Sequence, residues 1–314
     1  MIKMLKLNNN LKKLRPVEVM VVVFVCLFFL AVIPVACRKS RTDVYHITCA
    51  RNLSMIGNAM MSYANDHDGK LPRSGADSSF YNPVILQWDG ADRFEAFNLK
   101  PDGSGGQASI SSCFYLLVKY YDMLPKSFVC PGDSGTTEFK LDEDNVDNKR
   151  LVDLWDFGRF AFEHCSYSYH MPFSLNPPFG LYPLTTACDP GMAVAADRNP
   201  WIRSPAAWPK QFPDNFTPNS SRDVIKAGNS ISHQQEGQNV LFLDNHVNFE
   251  KSSFCGINDD NIYTYWYYDG GIRMFAPGVG NPADRADSLL IHDQPSGGDP
   301  RPTRDRKGNV IEYY

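Results

Sequence analysis

Three side chains in the second half of the chain have the types needed to bind a divalent cation. Asp197 ends the apolar run at 192–197, His233 follows a serine-containing stretch, and Asp244 ends the run at 240–244. If the strands that carry the two aspartates are neighbours, two carboxylates and one imidazole converge, and such oxygen donors suit Ca²⁺. In the alternative interpretation the aspartates cap turns and His233 hydrogen-bonds its own loop.

No catalytic motif accompanies these residues. The sequence lacks a Gly-x-Ser-x-Gly elbow, a Walker loop, a His-Glu-x-x-His helix and a dinucleotide fingerprint. The acidic stretch Asp142–Asp147 lacks the glycine and the final glutamate of an EF-hand loop, which favours a solvated loop. The chain is therefore predicted not to be an enzyme, with Ca²⁺ as the one candidate cofactor and an exported hydrolase as the remaining alternative.

Composition limits the fold and the partners. The chain has 314 residues, of which 43% are hydrophobic, so it can bury a substantial core. Its net charge of −4 predicts no nucleic-acid partner, because binding to a phosphate backbone needs a basic surface. The 22 glycines, 22 prolines and 13% aromatic residues suit a turn-rich domain that contains β-structure and long loops.

The cysteines leave two possibilities open. Six of the eight lie beyond residue 40, which allows up to three disulfides whose connectivity the sequence does not reveal. Alternatively, several of them are free, buried thiols that pack as small apolar groups. The absence of a Cys-x-x-Cys pair argues against a structural zinc site.

A charge-free apolar segment precedes the domain. Residues 19–36 read VMVVVFVCLFFLAVIPVA, and at about 1.5 Å per residue such a helix approaches the roughly 30 Å of a bilayer core. Five basic residues precede the segment and three follow it, which predicts a cytoplasmic N-terminus. A cleaved signal peptide and a lipoprotein site at Cys37 are the alternatives, although no small-x-small site follows the segment.

Beyond this segment, apolar side chains recur at helical spacing. Steps of four and three residues separate the members of one stripe, which are Cys49, Leu53, Ile56, Met60 and Tyr63. This spacing predicts an amphipathic helix whose stripe packs on a sheet. The turn-forming residues at 65–69, followed by Pro72, predict its end.

Alternating residues farther along the chain predict antiparallel strands. The clearest hairpin joins residues 240–242 to residues 247–249 through a tight turn at Asp244-Asn245. Residues 165–170 and 192–197 are typical of further strands. The predicted fold class is therefore α+β, with a long N-terminal transmembrane-to-amphipathic helix packed on an antiparallel β-sheet, in a pilin-like manner, and with long loops.

Taken together, these features resemble the prepilin-like proteins of bacterial envelopes. In the helix and the turn after it, the matching residues are Cys49, Asn52, Leu53, Ile56, Gly57, Ala59, Tyr63, Asp66, Gly69 and Pro72. In the domain, the similar motifs are Cys-Pro-Gly-Asp at 130–133, Ala-Asp-Arg-Asn-Pro at 196–200, and His233 followed after ten residues by Asp244. The resemblance implies a protein similar to the major pseudopilins of type II secretion, with a C-terminal domain of unknown function that carries a His-x9-Asp-Gly element. Calcium binding by Asp197, Asp244 and His233 also agrees with what that resemblance implies.

The processing site departs from the prepilin pattern. The prepilins that this chain resembles carry a Gly-Phe-Thr-Leu-x-Glu motif at their processing site. When Glu18 is aligned with the glutamate of that motif, Lys13 takes the position of the glycine and Leu14 that of the phenylalanine. If the protein assembles, the resemblance implies that Glu18 pairs with the N-terminus of a neighbouring copy. The degenerate site favours a protein that is not processed and remains solitary.

The predicted organisation has five segments. They are a cytoplasmic basic N-terminus (1–16), a transmembrane helix (17–37), its amphipathic extension (38–68), a periplasmic β-rich domain (69–255) and a C-terminal β/loop extension with a mobile tail (256–314). This arrangement predicts a single-pass inner-membrane protein with its C-terminal domain in the periplasm or outside the cell.

The expected function is that of a membrane-anchored, pilin- or pseudopilin-like structural subunit of the bacterial envelope, linked to type II secretion or to a pilus-like assembly. The expected partners are the membrane, other copies through the N-terminal helix, and the secretion or pilus machinery. The alternative is a solitary, membrane-tethered extracytoplasmic binding module for a glycan or for another envelope protein.

Overall fold

The computed structural model describes residues 16–141, 149–175, 182–269, 271–295, 303–304 and 310–312, without the side chains of 29–43 and of the last two ranges. The chain divides into two compact units, Met1–Val44 and Tyr45–Tyr314. Lys13, Leu14, the acidic stretch at 142–147 and most of the tail predicted to be mobile lie outside the described residues.

The helices and strands have the following bounds. The helices are α1 (Pro16–Asp66), α2 (Arg93–Ala96), α3 (Ile110–Tyr120) and α4 (Arg222–Ala227). The strands are β1 (Phe80–Tyr81), β2 (Gln107–Ala108), β3 (Tyr167–His170), β4 (Ala193–Asp197), β5 (Gln238–Phe242), β6 (Val247–Glu250), β7 (Thr264–Asp269), β8 (Ile272–Pro277), β9 (Leu290–Ile291), β10 (Thr303–Arg304) and β11 (Val310–Glu312).

The membrane prediction is wrong. Across the described parts of the chain, none of the helices combines the length and the apolar character that crossing a bilayer requires. The transmembrane helix over 17–37, the single-pass inner-membrane location and the pilin-like fold class are therefore contradicted. Nothing in the described structure supports a pseudopilin role or a link to type II secretion, and the resemblance to prepilin-like proteins stays an untested prediction. Glu18 lies in the first turn of α1.

The second unit is an α+β domain built on a five-stranded antiparallel sheet. Its strand order is β6-β5-β4-β3-β9, so that β4 lies at the centre. The predicted hairpin is confirmed, since β5 and β6 pair with Leu241 opposite Val247. Asn245 adopts a φ of 71° in the turn between them, a left-handed conformation that asparagine tolerates.

Both faces of the central strands are covered. All five residues of β4 are buried, and their small side chains allow close packing on either side of the sheet. One face belongs to the larger hydrophobic core, which also contains Phe114 of α3 and Leu241 of β5. The other face packs against a smaller cluster around Trp201, Phe216 and Tyr263.

The amphipathic part of α1 is buried in the larger core. Cys49, Leu53, Ile56 and Met60 are fully buried, and Tyr63 is nearly so. Gly57 allows the helix to approach the sheet closely, because a Cβ atom there would lie 2.8 Å from Cδ1 of Leu241. The helix and β5 therefore hold each other in place on the side of the domain where the candidate site lies.

Candidate functional site

Four side chains from separate parts of the chain meet in one buried cluster. Cys49 of α1 forms a disulfide with Cys130, and His233 ends a short 3-10 turn while Asp197 ends β4. Nε2 of His233 lies 3.0 Å from Oδ2 of Asp197 and 3.8 Å from Sγ of Cys130. One possible ligand atom from each residue lies within 4.8 Å of the others, and all four residues are buried. We call these four residues the Cys–His–Asp cluster.

The sheet positions the carboxylate of the cluster. The backbone N–H of Asn239 on β5 donates to Oδ2 of Asp197 at 2.7 Å, and the Asn239 side-chain amide donates to the same oxygen at 3.0 Å. The Tyr263 hydroxyl donates to the backbone carbonyl of Asp197 at 2.7 Å. Among the described residues, Oδ1 of Asp197 has no hydrogen-bond partner although it is buried.

His233 is enclosed by aromatic and backbone groups. The ring of His46 meets its ring edge-on at 4.4 Å, and Gly132 leaves room for the neighbouring backbone, since a Cβ there would overlap the carbonyl oxygen of Ser232. Burial lowers the pKa of His233, but the charge and the hydrogen bond of Asp197 outweigh burial, so the net pKa is raised above 6.5. The imidazole therefore holds its proton more tightly than an exposed histidine does.

A buried arginine ties together the loops around the cluster. Nε of Arg198 donates to Oδ2 of Asp133 at 2.7 Å, and both side chains are almost fully buried. The Nη2 atom of Arg198 donates to the carbonyl of Phe162 at 2.6 Å and to the Thr136 hydroxyl at 3.0 Å. The Cys-Pro-Gly-Asp and Ala-Asp-Arg-Asn-Pro segments are thus linked by a charged pair and by hydrogen bonds, which explains why both contain polar residues that end up buried.

The structure brings together only two of the three residues predicted to bind calcium. Asp197 and His233 are in contact, whereas Asp244 is exposed in the β5–β6 turn and pairs with His246. Asp244 lies five residues beyond Asn239, or about 16 Å along an extended strand. The buried pair of Asp197 and His233 lies beside two sulfur atoms, whereas Ca²⁺ is bound by six to eight oxygen ligands.

The helical spacing predicts Cys49 only as a packing residue and does not indicate its pairing with Cys130. These two cysteines are separated by 81 positions, with Cα atoms 5.3 Å apart in the fold. The available signal was the helix periodicity, which placed Cys49 on the buried stripe. Of the other cysteines, Cys26, Cys113, Cys165, Cys188 and Cys255 are free thiols.

A second candidate site is a surface cleft at the C-terminal end of α1. One cavity of about 450 Å³ is lined by residues that include Tyr63, Tyr120, Tyr121 and Trp155. An adjoining cavity of about 910 Å³ shares five lining residues with it, namely Tyr63, His67, Arg73, Gly75 and Arg93. We call the two cavities together the Tyr–Arg cleft.

The polar groups of the Tyr–Arg cleft are held in defined positions. The rings of Tyr63 and His67 stack at a centroid distance of 3.8 Å. Nη2 of Arg93 donates to the carbonyl of Gly75 at 3.3 Å, and Nη1 of Arg73 pairs with the exposed Asp77 at 3.3 Å. Burial lowers the pKa of Arg73, and its Nε atom is buried without a hydrogen-bond partner among the described residues.

Three further contacts order the aromatic wall of the cleft. The Tyr121 hydroxyl donates to Oδ2 of Asp66 at 2.7 Å, and the indole N–H of Trp155 donates to the carbonyl of Gly90 at 3.0 Å. Trp155 also has the Lys119 ammonium over its ring at 3.9 Å. These rings are therefore fixed before any ligand arrives.

Comparison with known proteins gives no relative: the chain matches no protein-family model, no curated protein and no solved structure.

Proposed function

We propose that this chain is a binding module that holds an uncharged saccharide in the Tyr–Arg cleft. The observation that carries the proposal is the combination, in one cleft, of aromatic rings with planar polar side chains. The two adjoining cavities, of about 450 and 910 Å³, lie within the size range of small-molecule and oligomer sites.

The chemistry of the lining favours a ligand with apolar ring faces and many hydroxyl groups. Tyr120 and Tyr121 offer flat apolar surfaces, on which the C–H face of a sugar ring can stack, while Tyr63 is buried and stacked on His67 behind them. Arg73 and Arg93 present several N–H donors, and His67 can donate or accept. A saccharide uses both kinds of contact at once.

Charge in the cleft argues for an uncharged ligand. Its basic residues are Lys70, Arg73 and Arg93, and its acidic residues are Asp66, Asp77 and Asp102. The formal charges therefore cancel, so neither a strongly anionic nor a strongly cationic ligand gains a net attraction. A neutral, hydroxyl-rich chain avoids the cost of transferring a charge from water into the cleft.

Preorganisation supports affinity. The stacked Tyr63–His67 pair and the anchored indole of Trp155 lose little side-chain freedom when a ligand binds. Tyr120, which is more than half exposed, is the ring most available for stacking. We therefore expect Tyr120 and Arg93 to contribute most of the affinity.

The test is a glycan array probed with the purified chain, followed by calorimetric titration of the best neutral oligosaccharide. Tyr120→Ala and Arg93→Ala should each weaken binding about tenfold or more, the equivalent of about 1.4 kcal/mol. Tyr268→Ala is the matched control, because Tyr268 is an exposed tyrosine of β7 that does not line the cleft. An array without any bound glycan, or a titration that neither cleft variant changes, would overturn the proposal.

A further inference from the structure

The Cys–His–Asp cluster carries an inference independent of the cleft. We propose that Cys49, Cys130, Asp197 and His233 bind one Zn²⁺ ion when the Cys49–Cys130 disulfide is reduced. The pocket then has two alternative states, a covalent crosslink and a metal site, and both join α1 to the Cys-Pro-Gly-Asp segment.

The donor set fits zinc. Two thiolates, one imidazole and one carboxylate make a four-coordinate site in which sulfur and nitrogen predominate, a ligand set that suits zinc and not calcium. Zinc bonds of about 2.0–2.3 Å in tetrahedral geometry place neighbouring ligand atoms about 3.3–3.8 Å apart. Nε2 of His233 already lies 3.0 Å from Oδ2 of Asp197 and 3.8 Å from Sγ of Cys130, so these two spacings need small movements, and the two sulfur atoms must move apart once their bond is reduced.

The surroundings of the carboxylate form a second shell. Asn239 donates its backbone N–H and its side-chain amide to Oδ2 of Asp197, which fixes the orientation that a ligand carboxylate needs. Oδ1 of the same side chain is buried without a partner among the described residues. A buried carboxylate oxygen that lacks a hydrogen-bond partner costs free energy. A cation bound beside the carboxylate offsets part of this cost.

The chemistry balances with a dithiol as the reductant. The dithiol transfers two electrons and two protons to the Cys49–Cys130 bond and leaves as its own cyclic disulfide, while the protein gains two thiols. Zn²⁺ then displaces one proton from each thiol and binds both thiolates, so that two protons are released for each ion bound by a chain with a neutral His233, and three when the imidazole is protonated. Thiol–disulfide exchange with a small-molecule disulfide reverses the change: that disulfide takes up two electrons and two protons and leaves as two thiols, the Cys49–Cys130 bond re-forms, and the zinc ion loses two ligands and is released.

The experiment uses the full chain in two redox states. One sample stays oxidised, and the other is treated with dithiothreitol and desalted without oxygen. Each is titrated with Zn²⁺, and with Co²⁺ as a spectroscopic probe of thiolate ligation. We expect one equivalent of tightly bound zinc in the reduced chain, a thiolate-to-cobalt absorption band, and no tight binding in the oxidised chain.

Variants separate this site from the other thiols. Asp197→Asn and His233→Ala should each weaken zinc binding at least tenfold, within the range found for perturbed metal sites. Cys188→Ser, which removes a free thiol outside the cluster, should leave binding unchanged. Zinc binding that survives in a Cys49→Ser variant, or no zinc bound by a reduced chain that remains folded, would overturn the proposal.

A thermal readout covers the case in which a variant or reduction disturbs folding. Zinc stabilises only a folded state that binds it, so it should raise the Tm of the reduced wild type and not of Asp197→Asn. If reduction unfolds the chain, zinc should restore its circular dichroism spectrum. A reduced chain that stays unfolded with excess zinc would contradict the proposal.

Discussion

Removing the Cys49–Cys130 disulfide should cost the domain a large part of its stability. The bond closes a loop with a sequence separation of 81, between a buried helix and a buried loop. By the loop-closure relation, a crosslink of this span restricts the unfolded chain by about 4.5 kcal/mol at 25 °C. Since folded domains are stable by about 5–15 kcal/mol, the double variant Cys49→Ala/Cys130→Ala should be only marginally folded.

The assay is urea unfolding followed by tryptophan fluorescence, with a chelator present to exclude metal binding. The midpoint of the double variant should fall well below that of the oxidised wild type. Reductant should destabilise the wild type by a similar amount and leave the double variant unchanged. Cys188→Ser is the control and should stay within about 0.5 kcal/mol of the wild type, because it removes no crosslink. A loss under about 1 kcal/mol in the double variant would refute the reasoning.

Three further variants test the packing and the electrostatics around the sites. Gly57→Ala places a Cβ 2.8 Å from Cδ1 of Leu241 and should lower the free energy of unfolding by about 1–3 kcal/mol. The measurement is urea unfolding, and an unchanged midpoint would contradict this close approach. Arg198→Met leaves the carboxylate of Asp133 buried without its charged partner, with only the hydrogen bond from the Thr136 hydroxyl, and should cost about 3–5 kcal/mol, seen as a lower Tm, whereas a Tm equal to that of the wild type would refute the buried pair. Burial raises the pKa of Asp156 from 3.8 to about 8, so the folded chain keeps a proton that the unfolded chain loses, and stability falls as pH rises from about 4 to about 8. Asp156→Asn should reduce this fall in urea titrations at several pH values, and equal slopes for variant and wild type would contradict it.

Local patterns predicted the local structure. The steps of four and three residues identified the α1 stripe from Cys49 to Tyr63, because burial on one side of a helix imposes that period. The alternation around Asp244-Asn245 likewise predicted the β5–β6 hairpin, which the strand register confirms. Both signals arise from residues close together in sequence.

Long-range contacts were beyond these patterns. The sequence around Cys130 does not indicate that its partner is Cys49, which lies 81 positions earlier. Only the packing of α1 on the domain brings the two cysteines together. Asp197 meets His233 because β4 pairs with β5 and the short 3-10 turn before β5 places His233 beside the end of β4, which the sequence allowed but did not fix. The Tyr–Arg cleft is formed by residues as far apart as Tyr63 and Thr185, without a motif that connects them.

The membrane prediction was based on hydropathy and not on the spacing of apolar residues. Hydropathy over residues 19–36 favoured a spanning helix, but none of the helices in the described ranges is sufficiently long and apolar to span a bilayer. The functional conclusion therefore depends on the domain formed after Val44 and on its two candidate sites.

The most direct test of this account is the cysteine connectivity of the protein. Free thiols would be alkylated without reductant, the chain digested, and the peptides analysed by mass spectrometry before and after reduction. The account predicts a peptide pair joined through Cys49 and Cys130, with Cys113 and Cys165 recovered as alkylated free thiols. Recovery of Cys49 as a free thiol, or joined to any other cysteine, would contradict it.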